Sequence, residues 1–274
     1  MGKIIAFANQ KGGVGKTTTC VNIAAYLSAM GKRVLLIDMD PQGNASSGLG
    51  IEKSLETKTL YNVFDGACEI EETILPTYLA NLDIIPATVD LAGAELDLVQ
   101  KAEREKVLKH HLEKIKDSYD YITIDCPPSL GLITVNAFTA VDSLIIPIQC
   151  EFYALEGLSQ LMNTVKLVKK HLNPALDVEG VVLTMKDNRS NLIQEVSEEI
   201  KRFFGKKVFE TAIPRNVRLA EAPSHGESII TYEPGSKGAM AYLSLTEEIL
   251  KRNKQDYKPL SKHTKINIRR SDNE

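Results

Sequence analysis

Apolar residues recur in this chain in two rhythms. Continuous runs at 4–8, 33–38, 82–85, 121–124, 143–148 and 178–184 have the length and unbroken hydrophobicity of strands covered on both faces. Between them, Val21, Ala24, Ala25 and Leu27 mark one face of a helix over 17–30 that Gly31 stops. Positions 155, 158, 161, 162, 165 and 168 do the same within 154–172, and 192, 193, 196, 200, 203 and 204 within 191–204. The first strand, helix and strand form a βαβ unit, which implies parallel pairing. Strands and helices alternate to about Arg252, with no internal repeat and no linker-like break. The pattern predicts an α/β fold over 1–252: one doubly wound, mainly parallel sheet flanked by helices. From 253 to 274 the apolar period is lost and the chain turns basic and polar, so this segment is expected to be a disordered tail.

Charge follows the same division. The 274 residues carry a net charge of −3, but from Lys251 onward there are eight Lys/Arg against three Asp/Glu, leaving 25 basic and 33 acidic residues elsewhere. Any nucleic-acid surface must therefore be a local patch. Cys20, Cys68, Cys126 and Cys150 have no close pair and no metal-ligand spacing, as expected of reduced thiols in the cytoplasm. No signal peptide is legible, Ala6 spoils the usual myristoylation context of Gly2, and no apolar run is long enough to span a bilayer. The five histidines form no ligand pattern, and there is no Ser/His/Asp nucleophile signature.

The chemistry concentrates after the first strand, in Lys11-Gly-Gly-Val-Gly-Lys-Thr-Thr18. Gly12, Gly13 and Gly15 let backbone N–H groups curl round phosphate oxygens, with Val14 between them, and the helix start that follows adds its partial positive charge. Lys16 is placed to reach the β- and γ-phosphates and the Thr17 hydroxyl to coordinate Mg²⁺, with Thr18 completing the loop. The common phosphate-loop pattern has glycine where this chain has Gln10, and it lacks the extra Lys11. A chance Gly-rich turn would not sit between a strand and a helix, and a dinucleotide fingerprint would need a third glycine where Lys-Thr-Thr stands.

Two later strands end in acid. In open α/β sheets ligands lie at the carboxyl ends of strands, so Asp125 is a candidate to hold a Mg²⁺-bound water. Asp38 and Asp40 follow the second strand. Asp40 reaches further into the loop and is the candidate to orient an attacking water. Asp38 is a metal candidate for which the plain alternative, a turn residue, stays open. Cys126-Pro-Pro-Ser-Leu-Gly131 suits a switch that senses the γ-phosphate, or an ordinary strand-to-helix turn.

These segments together resemble the deviant-Walker ParA/MinD ATPases. The stretches 147–157 and 213–226 are similar to the chromosomal ParA proteins called Soj. The resemblance covers roughly 2–250 and leaves out the basic tail. It implies ATP and Mg²⁺ as cofactors and a slow ATPase sandwiched as a homodimer around ATP, with Lys11 reaching the partner's nucleotide. It places Pro214 and Asn216 on the adenine and Glu151 near the ribose across the dimer. It makes Arg189 and Arg218, with Arg215 beside them, one patch for nonspecific double-stranded DNA, and Lys237 and Lys251 are weaker additions. A ParB-type partner would stimulate hydrolysis, and the protein would act in the cytoplasm on the nucleoid to partition a chromosome or plasmid. Read singly, each of these basic residues is more simply a solvated surface charge. No aromatic residues interleave them, so contacts would go to phosphates.

Three other classes of protein fit the sequence less well. A MinD-like membrane-cycling division regulator needs a C-terminal amphipathic helix, whereas 257–270 contains Pro259 and scattered apolar residues. A metabolic enzyme of the same fold would couple ATP to a redox cluster or to a ligase reaction; the former needs paired cysteine ligands, which Cys126 and Cys150 do not suggest. A sequence-specific regulator needs a helix-turn-helix, for which the residues before the first strand leave no room.

Overall fold

The computed structural model describes residues 2–52, 54, 56–151, 154–186, 191–260 and 266–269. Seven strands, β1 Lys3–Phe7, β2 Val34–Asp38, β3 Leu75–Pro76, β4 Leu82–Ile85, β5 Tyr121–Asp125, β6 Ser143–Gln149 and β7 Asp177–Thr184, form one sheet in the order β3-β4-β2-β5-β1-β6-β7. All pairs are parallel except β3 with β4, so the expected doubly wound, mainly parallel architecture is present. The helices are α1 Lys16–Ala29, α2 Asn44–Gly48, α3 Leu60–Asp65, α4 Ala94–Val99, α5 Val107–Ile115, α6 Leu132–Ala140, α7 Ala154–His171, α8 Asn191–Phe204, α9 Val217–Glu221, α10 Ile229–Tyr232 and α11 Lys237–Arg252.

The continuous apolar runs have their cause in the two faces of this sheet. Along β1, Ile4 and Ala6 join one core with Leu35, Ile37, Ile122 and Ile124, while Ile5 and Phe7 join the other with Leu36, Tyr121 and Ile145. Both faces are buried, so alternate positions must all be apolar. Helix α1 is enclosed between the sheet and α11, and its buried side chains run all round it, from Cys20 to Ala25 without a break. Strand β3 escaped the sequence pattern because it is two residues long and contains Pro76, which only an edge position tolerates. Phe203 differs from expectation too: it is 66% exposed and packs edge-to-face on Phe204 instead of entering the core. Within the segment expected to be a disordered tail, Tyr257, Leu260 and Ile266 pack against the core on the α1 side of the sheet, and Ile268 bridges Leu79.

Candidate nucleotide site

Strand order places the site. From β1 the chain crosses over β5 to reach β2, and later elements fill the other side through β6, so the loop after β1 opens where the winding reverses. Gly13 and Gly15 take left-handed φ angles of 73° and 84° there, which a Cβ would strain. The loop is pinned from several sides. The Asn9 side chain donates to Pro147 O at 2.7 Å and accepts from the Lys11 N–H at 3.0 Å. The Thr184 hydroxyl donates to Val14 O at 2.8 Å. Thr184 was not singled out from sequence; a threonine ending a strand carries no signal that it will meet a loop 170 residues away. Its neighbour Met185 also holds a positive φ of 50°, backbone strain beside the site.

The two loop lysines have opposite surroundings. Lys16 is 7% exposed, and its ammonium makes a 3.1 Å hydrogen bond to Lys11 O with no carboxylate in ion-pair range among the described residues. Burial lowers its pKa, while Asp125 and Asp40 pull it back up. Lys11 is part-exposed and forms an ion pair with Glu151 of the same chain. Both residues expected to reach across a dimer thus meet each other within one protomer.

The acids follow from register. Asp38 on β2 and Phe7 on β1 flank Asp125 on β5, so two carboxylates end adjacent strands. Both are fully buried. Asp38 accepts hydrogen bonds from the Ser46 N–H at 2.8 Å, the Ser46 hydroxyl at 2.7 Å and the Asp40 N–H at 3.2 Å. Even so, burial pushes its pKa up to about 6. Asp125 lies well above the carboxylate range, first through burial and then through repulsion from Asp38; the nearby Thr17 hydroxyl and Lys16 oppose this. Neither Asp125 oxygen has a hydrogen bond of ordinary geometry. Two orphaned, buried carboxylate oxygens beside a threonine hydroxyl and a buried ammonium fit a hydrated divalent cation with a polyphosphate. Among the described residues no group of three or more His, Cys, Asp or Glu is set to hold a metal ion. Asp40 is 8% exposed and spends one oxygen on the Gln42 N–H at 3.0 Å, so it is at least a turn residue.

Beside the loop lies a cavity of about 340 Å³ bounded by Gly15, Thr18, Met185, Pro214, Asn216 and Leu219. Its size is that of a small-ligand pocket. Asn216 also caps α9 by accepting from the Arg218 N–H at 2.8 Å. Of the basic residues, Arg215 and Arg218 are exposed on this same segment, and Arg218 pairs with Glu221 at 2.8 Å. Lys237 is exposed at the start of α11, and the next residue, Gly238, lies close against Leu219 of the Arg218 segment. Lys251 lies near the other end of α11, about 21 Å along the axis from Lys237, and so falls away from the group. Arg189 lies outside the described residues.

A loop of this shape, closing on a buried lysine at the switch point of a parallel sheet and faced by acidic strand ends, defines a P-loop nucleoside triphosphatase. Comparison with known proteins narrows the class. A family model described as an AAA domain matches residues 2–178. The sporulation initiation inhibitor protein Soj of Bacillus subtilis (strain 168) is 61% identical over 249 residues, covering 91% of this chain and 98% of that protein. The chromosome partitioning protein ParA of Myxococcus xanthus (strain DK1622) is 54% identical over 252 residues, covering 92% and 89%. Among solved structures, cobyrinic acid a,c-diamide synthase from Mycobacterium smegmatis with bound ADP and magnesium aligns with a TM-score of 0.81 at 35% identity, over 95% of this chain and 100% of that one. The chain belongs to the ParA/Soj-type chromosome-partitioning ATPases of the deviant Walker A P-loop family. It is an ATPase whose cofactors are ATP and Mg²⁺. No helix among the described residues is long and apolar enough to cross a membrane.

Proposed function

We propose that this ATPase is a switch in which ATP favours a sandwich homodimer, the dimer holds nonspecific DNA on the nucleoid, and a ParB-type partner stimulates hydrolysis and release, so that a chromosome or plasmid is partitioned. The observation that carries the reading is the division of labour between the two loop lysines. Lys16 is buried and faces its own phosphate site. Lys11 is part-exposed and held by an exchangeable surface ion pair to Glu151, which is worth little and is readily given up for a phosphate. A second cation five residues from Lys16 gains most if it serves a nucleotide held by another protomer.

In this reading Lys16 neutralises the β- and γ-phosphates, and Gly12 to Thr18 supply N–H donors. Thr17 directly, Asp125 through water, and Asp38 at greater reach would hold Mg²⁺. When bound, the ion would supply positive charge to offset that of the phosphates. Asp40 orients the water whose oxygen bonds to the γ-phosphorus. Pro214 and Asn216 line the base, and Arg215, Arg218 and Lys237 face DNA phosphates. Arg189 is proposed for the same surface on the resemblance alone, and Lys251 stands apart from it.

Lys16→Ala and Lys11→Ala test the division. Sedimentation with a slowly hydrolysed ATP analogue, with and without DNA, should show Lys16→Ala failing to bind nucleotide. Lys11→Ala should bind nucleotide as a monomer, without DNA. A Lys11→Ala protein that still dimerises with ATP refutes the sandwich. A metabolic role like that of the diamide synthase would make DNA binding absent or indifferent to nucleotide in the wild type.

A further inference from the structure

Residues 266–269 are fastened to the turn between β3 and β4. The Arg269 guanidinium donates to Thr77 O at 3.1 Å, Ala80 O at 3.0 Å and Asp83 Oδ1 at 2.8 Å. The backbone N–H of Arg269 donates to Tyr78 O at 2.8 Å, and the Ala80 N–H donates to Asn267 O at 3.0 Å. A planar fork of donors suits several fixed acceptors at once, which a lysine cannot match.

The turn that Arg269 clamps carries Tyr78, whose side chain points along a second set of bonds. Its hydroxyl accepts from the Ser228 N–H at 2.7 Å and lies 2.9 Å from the Ser228 hydroxyl and 3.1 Å from that of Thr231. Ser228 and Thr231 start and form α10. The first N–H of that helix, on Ile229, donates to Asn22 Oδ1 at 2.8 Å. The amide nitrogen of the buried Asn22 then donates to Thr18 O at 2.7 Å. Thr18 adjoins Thr17. Both ends of the Asn22 amide are spent, one on α10 and one on the first turn of α1, so a shift of α10 is felt at the phosphate loop.

We propose that Arg269, Tyr78 and Asn22 are positioning residues for the Mg–nucleotide site, acting through Thr18. The C-terminal segment fixes the Tyr78 turn, the turn fixes α10, and α10 fixes the start of α1 where the Thr17 hydroxyl must meet the cation. The proposal rests on the reading of Thr17 as a Mg²⁺ ligand. Small displacements of such a group are costly because its contribution depends on geometry.

The test is calorimetry of Mg·ADP and of ADP in EDTA, on wild type, Tyr78→Phe, Arg269→Ala, Arg269→Lys and the Tyr78→Phe/Arg269→Ala double variant. Coupling along packed networks is of a size that predicts an about three- to tenfold loss of Mg·ADP affinity for Tyr78→Phe and for Arg269→Ala. ADP alone should lose less than Mg·ADP, since without the cation only the phosphate contacts of the Thr17 and Thr18 N–H groups are disturbed and the Thr17 hydroxyl has no ion to meet. Arg269→Lys should not restore affinity. The double variant should be no worse than the weaker-binding single variant, because both break one chain of contacts. Variants that melt earlier yet bind Mg·ADP normally overturn the proposal, as do equal losses with and without Mg²⁺ or strictly additive losses. Failure of the wild type itself to bind Mg·ADP would instead sink the nucleotide reading on which the proposal stands.

Discussion

Replacing Asp38 by Asn should stabilise the nucleotide-free protein in a way that depends on pH. Asp38 is fully buried at the end of β2, and burial lifts its pKa from 3.8 to about 6 despite three hydrogen bonds. A folded pKa above the unfolded one means the acid form is preferred by the fold. The associated stability is therefore complete below about pH 4 and lost as pH rises through 6. A rise of about two units corresponds to roughly 3 kcal/mol above pH 6. Asn keeps one acceptor for Ser46 but sets an N–H group against the Asp40 N–H, a loss of about 1 kcal/mol. The variant should gain roughly 2 kcal/mol at pH 8 and lose about 1 at pH 4. For a domain of this size the gain is a Tm higher by about 4–8 °C at pH 8. Thermal unfolding of both proteins from pH 4 to 8, without nucleotide, reads the effect directly. Added Mg·ADP should raise the wild-type Tm at pH 8 and close much of the gap. A Tm difference that does not change with pH, or a variant less stable at pH 8, would refute the argument that the site stores electrostatic strain.

Asp40→Ala should bind Mg·ATP and hydrolyse it more slowly, leaving protein on DNA in a cosedimentation assay; a wild-type turnover rate would reduce Asp40 to its bond with Gln42. Arg218→Glu should weaken DNA binding equally on unrelated sequences and lower the slope of log affinity against log salt, with nucleotide-dependent dimerisation intact; normal binding across salt concentrations removes Arg218 from the surface. Gly15→Val places a β-branched residue at a φ of 84° and should abolish nucleotide binding by calorimetry, while far-ultraviolet circular dichroism stays near wild type.

The fold was readable because parallel strands buried on both faces leave continuous apolar runs, and six of the seven strands did so. The phosphate loop was readable because its chemistry is local: glycines, lysine and threonine act within eight residues. What sequence did not disclose is set by contacts between distant positions. Lys11 and Glu151 meet although 140 residues apart. Thr184 supports Val14, and Arg269 finds the carbonyls of the 77–80 turn, none of which has a periodic or motif signature. The three-sided hydrogen bonding of Asp38 was equally hidden, because Ser46 belongs to a helix of only five residues that no apolar rhythm marks.

The position of β1 has a consequence for biosynthesis. This strand leaves the ribosome before the other six, yet it pairs with β5 and β6 and not with β2, the next of them made. At about 5–20 residues per second, roughly 6–25 s of synthesis separate its emergence from that of its first partner. Throughout that interval β1 and its Gly-rich loop have no partner strand, even though β2, β3 and β4 can already pair, and ATP has no preformed cradle to stabilise. The nascent chain therefore depends on being kept from aggregation until β5 has emerged, and nucleotide can assist folding only after that. Ribosome-bound chains stalled before residue 121 should be unable to retain ATP, whereas chains stalled well past β7 should begin to do so.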